Sequence, residues 1–428
     1  MVFTKGKTLL LTVTFLALNA QGSELQERID AAAPGDVLEI SAGDYEGSLV
    51  IEKPLKLIGN NFPHISGGGE GSVITVRADD VEIRGFHISG SGVNLSKDQA
   101  GVHVTGERVT IASNRIDDVL HGIYLKKAVG FRVSGNEIHG KTTLPPVERP
   151  DSEAIASDGA EYCAPLNVNS RGNGIHLWNS SGGELDGNTI TDTRDGMYFS
   201  FTNDTKVRAN RIRGVRYGLH YMYSDNNDFE GNTFADSAAG AAIMYSKNLI
   251  IRGNRFIANR GFRAYGMLLN SVDNTRIEGN FLNNNTVGIY LENNNNNVLT
   301  GNRIANNYIG VRMTASSNDN AFSENRFSGN MHPAELAGQN ESNRWAIDGV
   351  GNHWQNAAPV DLNGDGIGEL PHREVDLLGN MRRDLPMIGL LSGSPGLKLL
   401  EFGERHIAAP DADAILDPAP LTTGYRKP

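Results

Sequence analysis

The sequence predicts an all-β fold, a right-handed single-stranded parallel β-helix with about 22 residues in each coil. Two columns of residues predict it. Asparagine recurs mostly at 22-residue steps, at Asn114, Asn136, Asn188, Asn210, Asn232, Asn254, Asn280, Asn302 and Asn325. Glycine recurs in step with it, at Gly101, Gly122, Gly174, Gly196, Gly218, Gly240, Gly266, Gly288 and Gly310.

The residues between the columns alternate as in short strands. Apolar residues lie three before and two after each asparagine, as Val207 and Ile212 do around Asn210. This period-two pattern favours strands and excludes a helical or leucine-rich solenoid, for which neither a 3.6 period nor a leucine consensus is present. Coils must then stack at about 4.8 Å to bury their inner faces. We expect the column asparagines to take left-handed backbone geometry and to bond their equivalents above and below.

The chain is predicted to begin with a signal peptide, followed by the β-helix. Residues 1–22 read as a signal peptide, with Lys5 and Lys7 before an apolar run and Ala20 near a small-residue cleavage site. Residues 23–355 form the β-helix, and the segment Leu25 to Ala33 is predicted as an amphipathic helix that caps its open end.

One step of 52 residues marks an insertion. It places about 30 extra residues near 141–171, a polar segment with three prolines that we expect to leave the coil as a loop. The loop contains Cys163, the only cysteine, so the chain forms no internal disulfide. Cys163 either joins a metal site, if the loop folds over the coils, or is an inert thiol.

The C-terminal residues divide into two parts. Residues 356–391 form a cap with a calcium-like loop, and residues 392–428 form a short helix, Gly396–Arg405, followed by a proline-rich arm. Asp361, Asn363 and Asp365 lie at alternate positions with glycine at the sixth, as in the first half of a calcium loop, and Glu369 could supply a further ligand. Its twelfth position is His372, so the loop is not an EF-hand. The alternative is a plain glycine-rich turn.

The net charge of −11 argues against nucleic acid and polyanionic polysaccharide as partners. No catalytic constellation is recognisable. Asp192, Arg194 and Asp195 share one turn, but turns carry such residues in any β-helix. We therefore predict no catalytic residues.

Outward positions gather soft ligands on one face. The column two residues after each glycine includes His176 and His220, and the column two residues further on includes Met222 and Met244. Met222 and Met244 should lie one coil apart, at about 4.8 Å. Thioether and imidazole groups suit Cu(I). The alternative is that histidines and tyrosines stack as ladders and that methionines fill gaps.

Several segments resemble the NosD family, the periplasmic maturation factors for nitrous oxide reductase. The resemblance is carried by Tyr217–Ser224, Ala241–Ser246, Tyr265–Leu269, Ser394–Leu400 and Leu416–Leu421. The two methionine strands and the tail are specific, whereas the other coils match parallel β-helices in general.

The resemblance implies a periplasmic accessory role without catalysis, at the inner membrane. Such proteins work with the permease and ATPase of an ABC transporter and with a copper-delivering lipoprotein chaperone. Together they assemble the copper–sulfur centre of nitrous oxide reductase. His220, Met222 and Met244 then form a patch that receives copper or docks the chaperone. The alternative is a polysaccharide lyase, hydrolase or epimerase, or a carbohydrate-binding protein, on the same scaffold.

Overall fold

The computed structural model describes residues 24–143, 168–337, 342–375, 394–396, 399 and 414–425. The predicted signal peptide and most of the insertion, Cys163 included, lie outside these residues. Of the predicted helix Gly396–Arg405, residues 396 and 399 are described, and both are helical. The chain divides into two compact units, Met1–Arg216 and Tyr217–Pro428.

The first unit opens with a helix over residues 24–31 and continues as short strands. The strands are β1 (Val37–Ile40), β2 (Asp44–Glu46), β3 (Leu49–Ile51), β4 (Lys56–Gly59), β5 (His64–Ser66), β6 (Ile74–Val76), β7 (Glu82–Arg84), β8 (His87–Ser89), β9 (Ala100–Val104), β10 (Thr110–Ala112), β11 (Arg115–Val119), β12 (His121–Lys126), β13 (Arg132–Ser134), β14 (Glu137–Gly140), β15 (Ile175–Trp178), β16 (Glu184–Asp186), β17 (Thr189–Thr191), β18 (Asp195–Ser200), β19 (Lys206–Arg208) and β20 (Arg211–Arg213). Among its described residues there are two 3-10 turns, Leu95–Lys97 and Val168–Ser170.

Every third strand of this unit pairs in parallel. The first sheet has the order β1-β4-β7-β10-β13-β16-β19, the second β2-β5-β8-β11-β14-β17-β20, and the third β3-β6-β9-β12-β15-β18. Each coil thus contributes one strand to each sheet, and the chain closes a full turn before it returns to the same sheet.

The second unit repeats this arrangement. Its strands are β21 (Tyr217–Met222), β22 (Asp228–Glu230), β23 (Thr233–Ala235), β24 (Ala239–Lys247), β25 (Ile250–Arg252), β26 (Arg255–Ile257), β27 (Tyr265–Asp273), β28 (Arg276–Glu278), β29 (Phe281–Asn283), β30 (Val287–Glu292), β31 (Val298–Thr300), β32 (Arg303–Ala305), β33 (Ile309–Thr314), β34 (Ala321–Ser323), β35 (Arg326–Ser328), β36 (His332–Ala337), β37 (His372–Val375) and β38 (Ala414–Asp417). The third sheet here has the order β21-β24-β27-β30-β33-β36. The prediction of a parallel β-helix is confirmed.

The inward residues form the core, and like residues stack from coil to coil. Phe234 and Phe256 lie with ring centroids 5.3 Å apart and planes within 14°, and both are buried. Because every coil buries its apolar side chains against the coils on either side, stability comes from stacking rather than from one compact centre.

The asparagine column is a buried hydrogen-bond ladder. The backbone N–H and the Nδ2 of Asn254 both donate to Oδ1 of Asn280, at 2.9 and 3.1 Å. Asn254 Nδ2 also donates to the carbonyl of Phe229. The expectation of left-handed geometry at these asparagines is wrong. The residue before each asparagine adopts it, for example Gly279 (φ +59°) and Glu324 (φ +57°), because the asparagine itself leads into the next strand.

The glycine column is fixed by close approach between coils. A Cβ on Gly240 would meet the carbonyl oxygen of Gly266 at 2.5 Å, and one on Gly266 would meet that of Gly288 at 2.6 Å. Any side chain would therefore push neighbouring coils apart, which explains why glycine recurs there.

The ends of the described coils are covered. Leu25 and Ile29 of the N-terminal helix are fully buried. In the second unit, β37 and β38 pair antiparallel, and the buried Asp417 of β38 accepts hydrogen bonds from Trp354 Nε1 (2.8 Å) and from the backbone N–H of Asn352 (2.7 Å). Strand β38 is thus hydrogen-bonded to Asn352, which is the last asparagine of the ladder.

Candidate functional site

The third sheet of the second unit brings the two predicted methionines together. Met222 on β21 is the register partner of Met244 on β24, so adjacent parallel strands place their backbones about 4.8 Å apart. Both side chains are half-buried. His220, two residues before Met222, shares this face, and its ring lies edge-on to Tyr217 with centroids 5.3 Å apart.

The turn after Met222 is held from inside the coil. Tyr221 points inward and is fully buried. Its hydroxyl donates to the Ser224 carbonyl at 2.6 Å and accepts from Asn227 Nδ2. Burial raises the pKa of Tyr221 above its ordinary value, so the phenol stays neutral. This bonding fixes the backbone on which Met222 is presented.

A serine two residues after each methionine bonds back to the methionine's carbonyl. Ser224 Oγ donates to the Met222 carbonyl at 2.9 Å, and Ser246 Oγ donates to the Met244 carbonyl at 2.8 Å. The Ser224 N–H in turn donates to Ser246 Oγ at 3.1 Å. The two methionine turns are therefore bonded to each other as well as paired.

An exposed tyrosine pair follows the methionines. Tyr223 and Tyr245 are 47% and 50% exposed, and their rings stack at 5.1 Å. Both have φ of +51°, a conformation that is strained for bulky residues. Sequence reasoning missed this pair, although Met-Tyr-Ser recurs 22 residues apart at 222–224 and 244–246. We call Tyr223 and Tyr245 the tyrosine pair.

This geometry suits a soft monovalent cation. Two thioether sulfurs on adjacent strands and one imidazole on the same face are ligands that Cu(I) accepts and that hard cations do not. Met222, Met244 and His220 could therefore hold Cu(I) in a low-coordinate site.

His176, the fourth residue of the predicted patch, lies on β15 in the first unit. Its Nδ1 is 3.2 Å from Asn173 Nδ2, and its ring is 4.5 Å from Tyr124 and 4.4 Å from Tyr198. Next to it is His121, which is 2% exposed and whose Nδ1 accepts the Asn173 N–H at 3.0 Å. These residues form an aromatic and imidazole column on the third sheet.

His121 makes stability depend on pH. Burial, assisted by the Arg194 charge, lowers the pKa of His121 from 6.5 to about 4, so folding favours the neutral ring. This contribution is complete above pH 6.5 and is lost as the pH falls towards 4. We expect the free energy of unfolding to fall by up to about 1.4 kcal/mol per pH unit in that window from this residue. Urea unfolding of wild type and His121→Gln at several pH values measures it, and parallel pH slopes would contradict it.

The predicted calcium residues lie in one loop. Asp361 accepts the N–H groups of Gly364 (2.7 Å) and Gly366 (2.9 Å). In the same loop Asn363 Nδ2 donates to Asp365 at 3.0 Å, and Glu369 accepts the Leu362 N–H at 2.9 Å. Carboxylates that accept loop N–H groups in this way still have lone pairs for a cation, so the calcium prediction stays a prediction.

Thermal unfolding tests the calcium prediction. An ion that binds only the folded state stabilises it, by about 2.7 kcal/mol at a concentration of a hundred times its Kd. We expect millimolar Ca²⁺ to raise the Tm by several degrees over chelator-treated protein, and Asp361→Ala to remove that rise. A Tm that is the same with Ca²⁺ and with chelator would mean that the loop binds no calcium and is a plain glycine-rich turn.

Two further observations concern metal-ligand clusters and membrane-spanning helices. Among the described residues, no three His, Cys, Asp or Glu side chains are grouped so that they could hold a metal ion; the methionine pair differs because its ligands are thioethers. No helix among the described residues is long and apolar enough to span a membrane.

Known proteins resemble the chain along most of its length. The family model described as periplasmic copper-binding protein (NosD) matches residues 152–358. A relative from Pseudomonas aeruginosa is 29% identical, with 96% of this chain and 94% of the relative covered. One from Stutzerimonas stutzeri is 28% identical, covering 89% and 86%. Both are named probable ABC transporter binding protein NosD.

Two solved structures illustrate the shared architecture. The A-module of a mannuronan C-5 epimerase from Azotobacter vinelandii has a TM-score of 0.59 at 14% identity, with 81% of this chain and 95% of the module covered. The catalytic unit of an α-1,3-glucanase from Streptomyces thermodiastaticus has a TM-score of 0.56 at 16% identity, covering 79% and 67%. These identities show a shared fold alone. By the family match and its relatives, the chain is similar to the NosD family along most of its length.

Proposed function

We propose that this chain is a periplasmic accessory protein for assembly of the copper–sulfur centre of nitrous oxide reductase. It acts without catalysis, together with the permease and ATPase of an ABC transporter and with a copper chaperone lipoprotein. It associates with the inner membrane through the transporter, and it binds Cu(I) on the third sheet of its second unit.

The observation that carries this proposal is the match to a family described as periplasmic and copper-binding. The names of the two relatives add an association with an ABC transporter.

The methionine pair supports a copper role within that family. Met222 and Met244 are register partners, and both reach the surface. Solvent access allows a metal to arrive and leave, whereas a buried site would trap it. The tyrosine pair next to them is about half exposed. Aromatic side chains of this kind serve as anchors for protein partners, so we assign the tyrosine pair to chaperone docking.

Deletion of the gene tests the maturation role. We expect nitrous oxide reductase to be exported and folded but to lack its catalytic copper–sulfur centre, because assembly rather than export depends on this protein. Absorption spectroscopy and copper and sulfide analysis of the purified reductase measure the centre. Complementation with the wild-type gene is the control, and a fully loaded reductase in the deletion strain would reject the role.

The enzyme alternative has the fold in its favour. The epimerase and the glucanase share the β-helix, but they are only 14% and 16% identical to this chain. One fold can support many different functions, so the shared fold does not by itself imply a shared activity. Incubation with alginate and α-1,3-glucan, followed by analysis of products, distinguishes the two proposals, and turnover of either polymer would favour an enzyme.

A further inference from the structure

The second sheet of the second unit has an outward face that neither the copper patch nor the calcium loop uses. Its strands are β23, β26, β29, β32 and β35. One outward row runs from coil to coil through Arg255, Phe281, Arg303 and Arg326, which are register partners in turn. The three arginines are exposed and Phe281 is half-buried. We call these four residues the arginine face.

The arginine face carries positive charge without acid. Its five strands contain no aspartate or glutamate, although the chain as a whole has 50 acidic and 39 basic residues. Within the part of the chain that the structure describes, the side chains of Arg255, Arg303 and Arg326 form no hydrogen bond or ion pair. The face is therefore a basic surface on an acidic protein.

Two arginines on the neighbouring first sheet of the same unit are paired. Arg252 Nε lies 3.5 Å from a carboxylate oxygen of Glu230, and a terminal nitrogen of Arg276 lies 2.6 Å from a carboxylate oxygen of Glu278. These side chains are also exposed, so exposure alone does not explain why the arginine face lacks acidic partners.

Two arginines of the face lie directly opposite each other. Arg303 and Arg326 are register partners on adjacent parallel strands, which lie about 4.8 Å apart. Like charges at such positions repel, whereas an acid at either one would stabilise the pair. The sequence thus keeps an arrangement that is unfavourable in the free protein, and such departures are expected at functional surfaces.

Phe281 positions two of the guanidinium groups. Cζ of Arg255 lies 5.0 Å from the centroid of its ring, and Cζ of Arg303 lies 5.2 Å from it. The two arginines come from the strands on either side of Phe281. A cation–π contact uses none of the N–H donors of a guanidinium, so these donors remain available to carboxylates. A ligand that engages both arginines must span the ring, and is larger than one small anion.

The turn after β26 extends the basic surface at one edge. Arg260 Nε donates to the carbonyl of Asn284 at 3.0 Å, and Asn284 directly follows β29, so this turn lies beside the arginine face. Phe262 is 93% exposed, and Arg263 Cζ lies 5.6 Å from the centroid of its ring. An exposed aromatic ring beside arginines is typical of anchors at protein–protein interfaces.

We propose that the arginine face docks a carboxylate-rich segment of a partner protein. Guanidinium groups bind carboxylates through two parallel N–H donors, and a row of arginines along the coil axis fits a run of carboxylates. A lipid surface requires a broad set of exposed apolar side chains that insert, whereas Phe281 and Ile257 on these strands are half-buried. The inference does not rest on the copper role, because it uses another sheet.

A labelled acidic peptide tests the proposal on the full mature protein. The probe is fluorescein-labelled dodecaglutamate, and its binding is followed by fluorescence anisotropy. We expect a Kd of about 0.1 mM or tighter at about 20 mM salt. Binding should weaken at least about tenfold at about 300 mM salt, because salt screens exposed charges.

Two double variants with the same change in net charge locate the site. Arg255→Gln/Arg303→Gln should weaken binding about fivefold or more, since each exposed ion pair contributes modestly. Arg252→Gln/Arg276→Gln, on the neighbouring sheet, should stay within about twofold of wild type. Circular dichroism checks that the coils are intact. Arg326→Gln alone, expected to weaken binding about twofold to threefold, keeps the test open if Arg255→Gln/Arg303→Gln misfolds.

Three results would overturn the proposal. The first is no anisotropy change with wild-type protein at about 1 mM and about 20 mM salt. The second is equal weakening in Arg255→Gln/Arg303→Gln and Arg252→Gln/Arg276→Gln, which would mean that only net charge matters. The third is cosedimentation of wild type with vesicles of phosphatidylcholine and phosphatidylglycerol in equal parts that Arg255→Gln/Arg303→Gln abolishes, which would assign the face to lipid.

Discussion

Replacing Met222 and Met244 together by leucine is expected to weaken Cu(I) binding by the purified protein at least about 100-fold. Leucine keeps the volume and apolar character of methionine, so the sheet should be undisturbed, while both soft sulfur ligands are lost. His220 alone would then hold the ion. Competition against a chromophoric Cu(I) chelator under anaerobic, reducing conditions measures the affinity.

A matched control is available in the same sheet. Met267 and Met313 are methionines of β27 and β33 that point inward and are 0% and 1% exposed. Met267→Leu/Met313→Leu changes the same number of thioethers but should leave Cu(I) affinity within about twofold, since buried sulfurs cannot reach the ion. Unchanged affinity in the Met222→Leu/Met244→Leu protein would remove the copper role from this pair, without touching the family assignment.

Removing one asparagine from the ladder is expected to be the most damaging single change to stability. In Asn280→Ala, the N–H and Nδ2 of Asn254 lose their acceptor, and the Ile251 carbonyl loses its donor. All these groups are buried, so we expect a loss of about 3–5 kcal/mol in the free energy of unfolding. Urea denaturation followed by circular dichroism measures it.

Asn283→Ala is the control for the ladder. Asn283 lies nearby on β29 and is half-buried, and its Oδ1 accepts one hydrogen bond from the exposed Asn306 at 2.9 Å. Water can replace this bond, so the loss should stay below about 1 kcal/mol. Similar midpoints for the two variants would show that the ladder does not dominate stability.

Much of the fold could be predicted because the repeat imposes it. The columns of Asn254, Asn280 and Asn302 and of Gly240, Gly266 and Gly288 are periodic in the sequence, and each position has one physical reason for its residue type. The pairing of Met222 with Met244 followed from the same 22-residue step. A β-helix converts sequence spacing directly into neighbours, which few folds do.

Features that break the repeat could not be predicted. The hydrogen bonds that Tyr221 makes inside the coil to Ser224 and Asn227 leave no period in the sequence. Asp195 is bound in bidentate fashion by Arg216, with Arg194 Nε further away at 3.6 Å, but from sequence either arginine is an equally good partner. The link from Asp417 to Trp354 joins residues 63 positions apart, which no local pattern signals.

The second unit contains further asparagine ladders that sequence reasoning also missed. One runs through Asn259, Asn285, Asn307 and Asn330 at a second corner. These asparagines were visible in the sequence, but runs such as residues 293–297 contain several asparagines in succession. Which of them turns inward depends on the coil corner, and that is set by the neighbouring coils.

X-ray absorption at the copper edge, on protein loaded with one equivalent of Cu(I), tests the central claim most directly. We predict two sulfur scatterers and one imidazole nitrogen, with both sulfurs lost in Met222→Leu/Met244→Leu and retained in Met267→Leu/Met313→Leu. A copper environment of nitrogen and oxygen alone, or a sulfur signal that survives in Met222→Leu/Met244→Leu, would contradict the assignment of this face as the copper site.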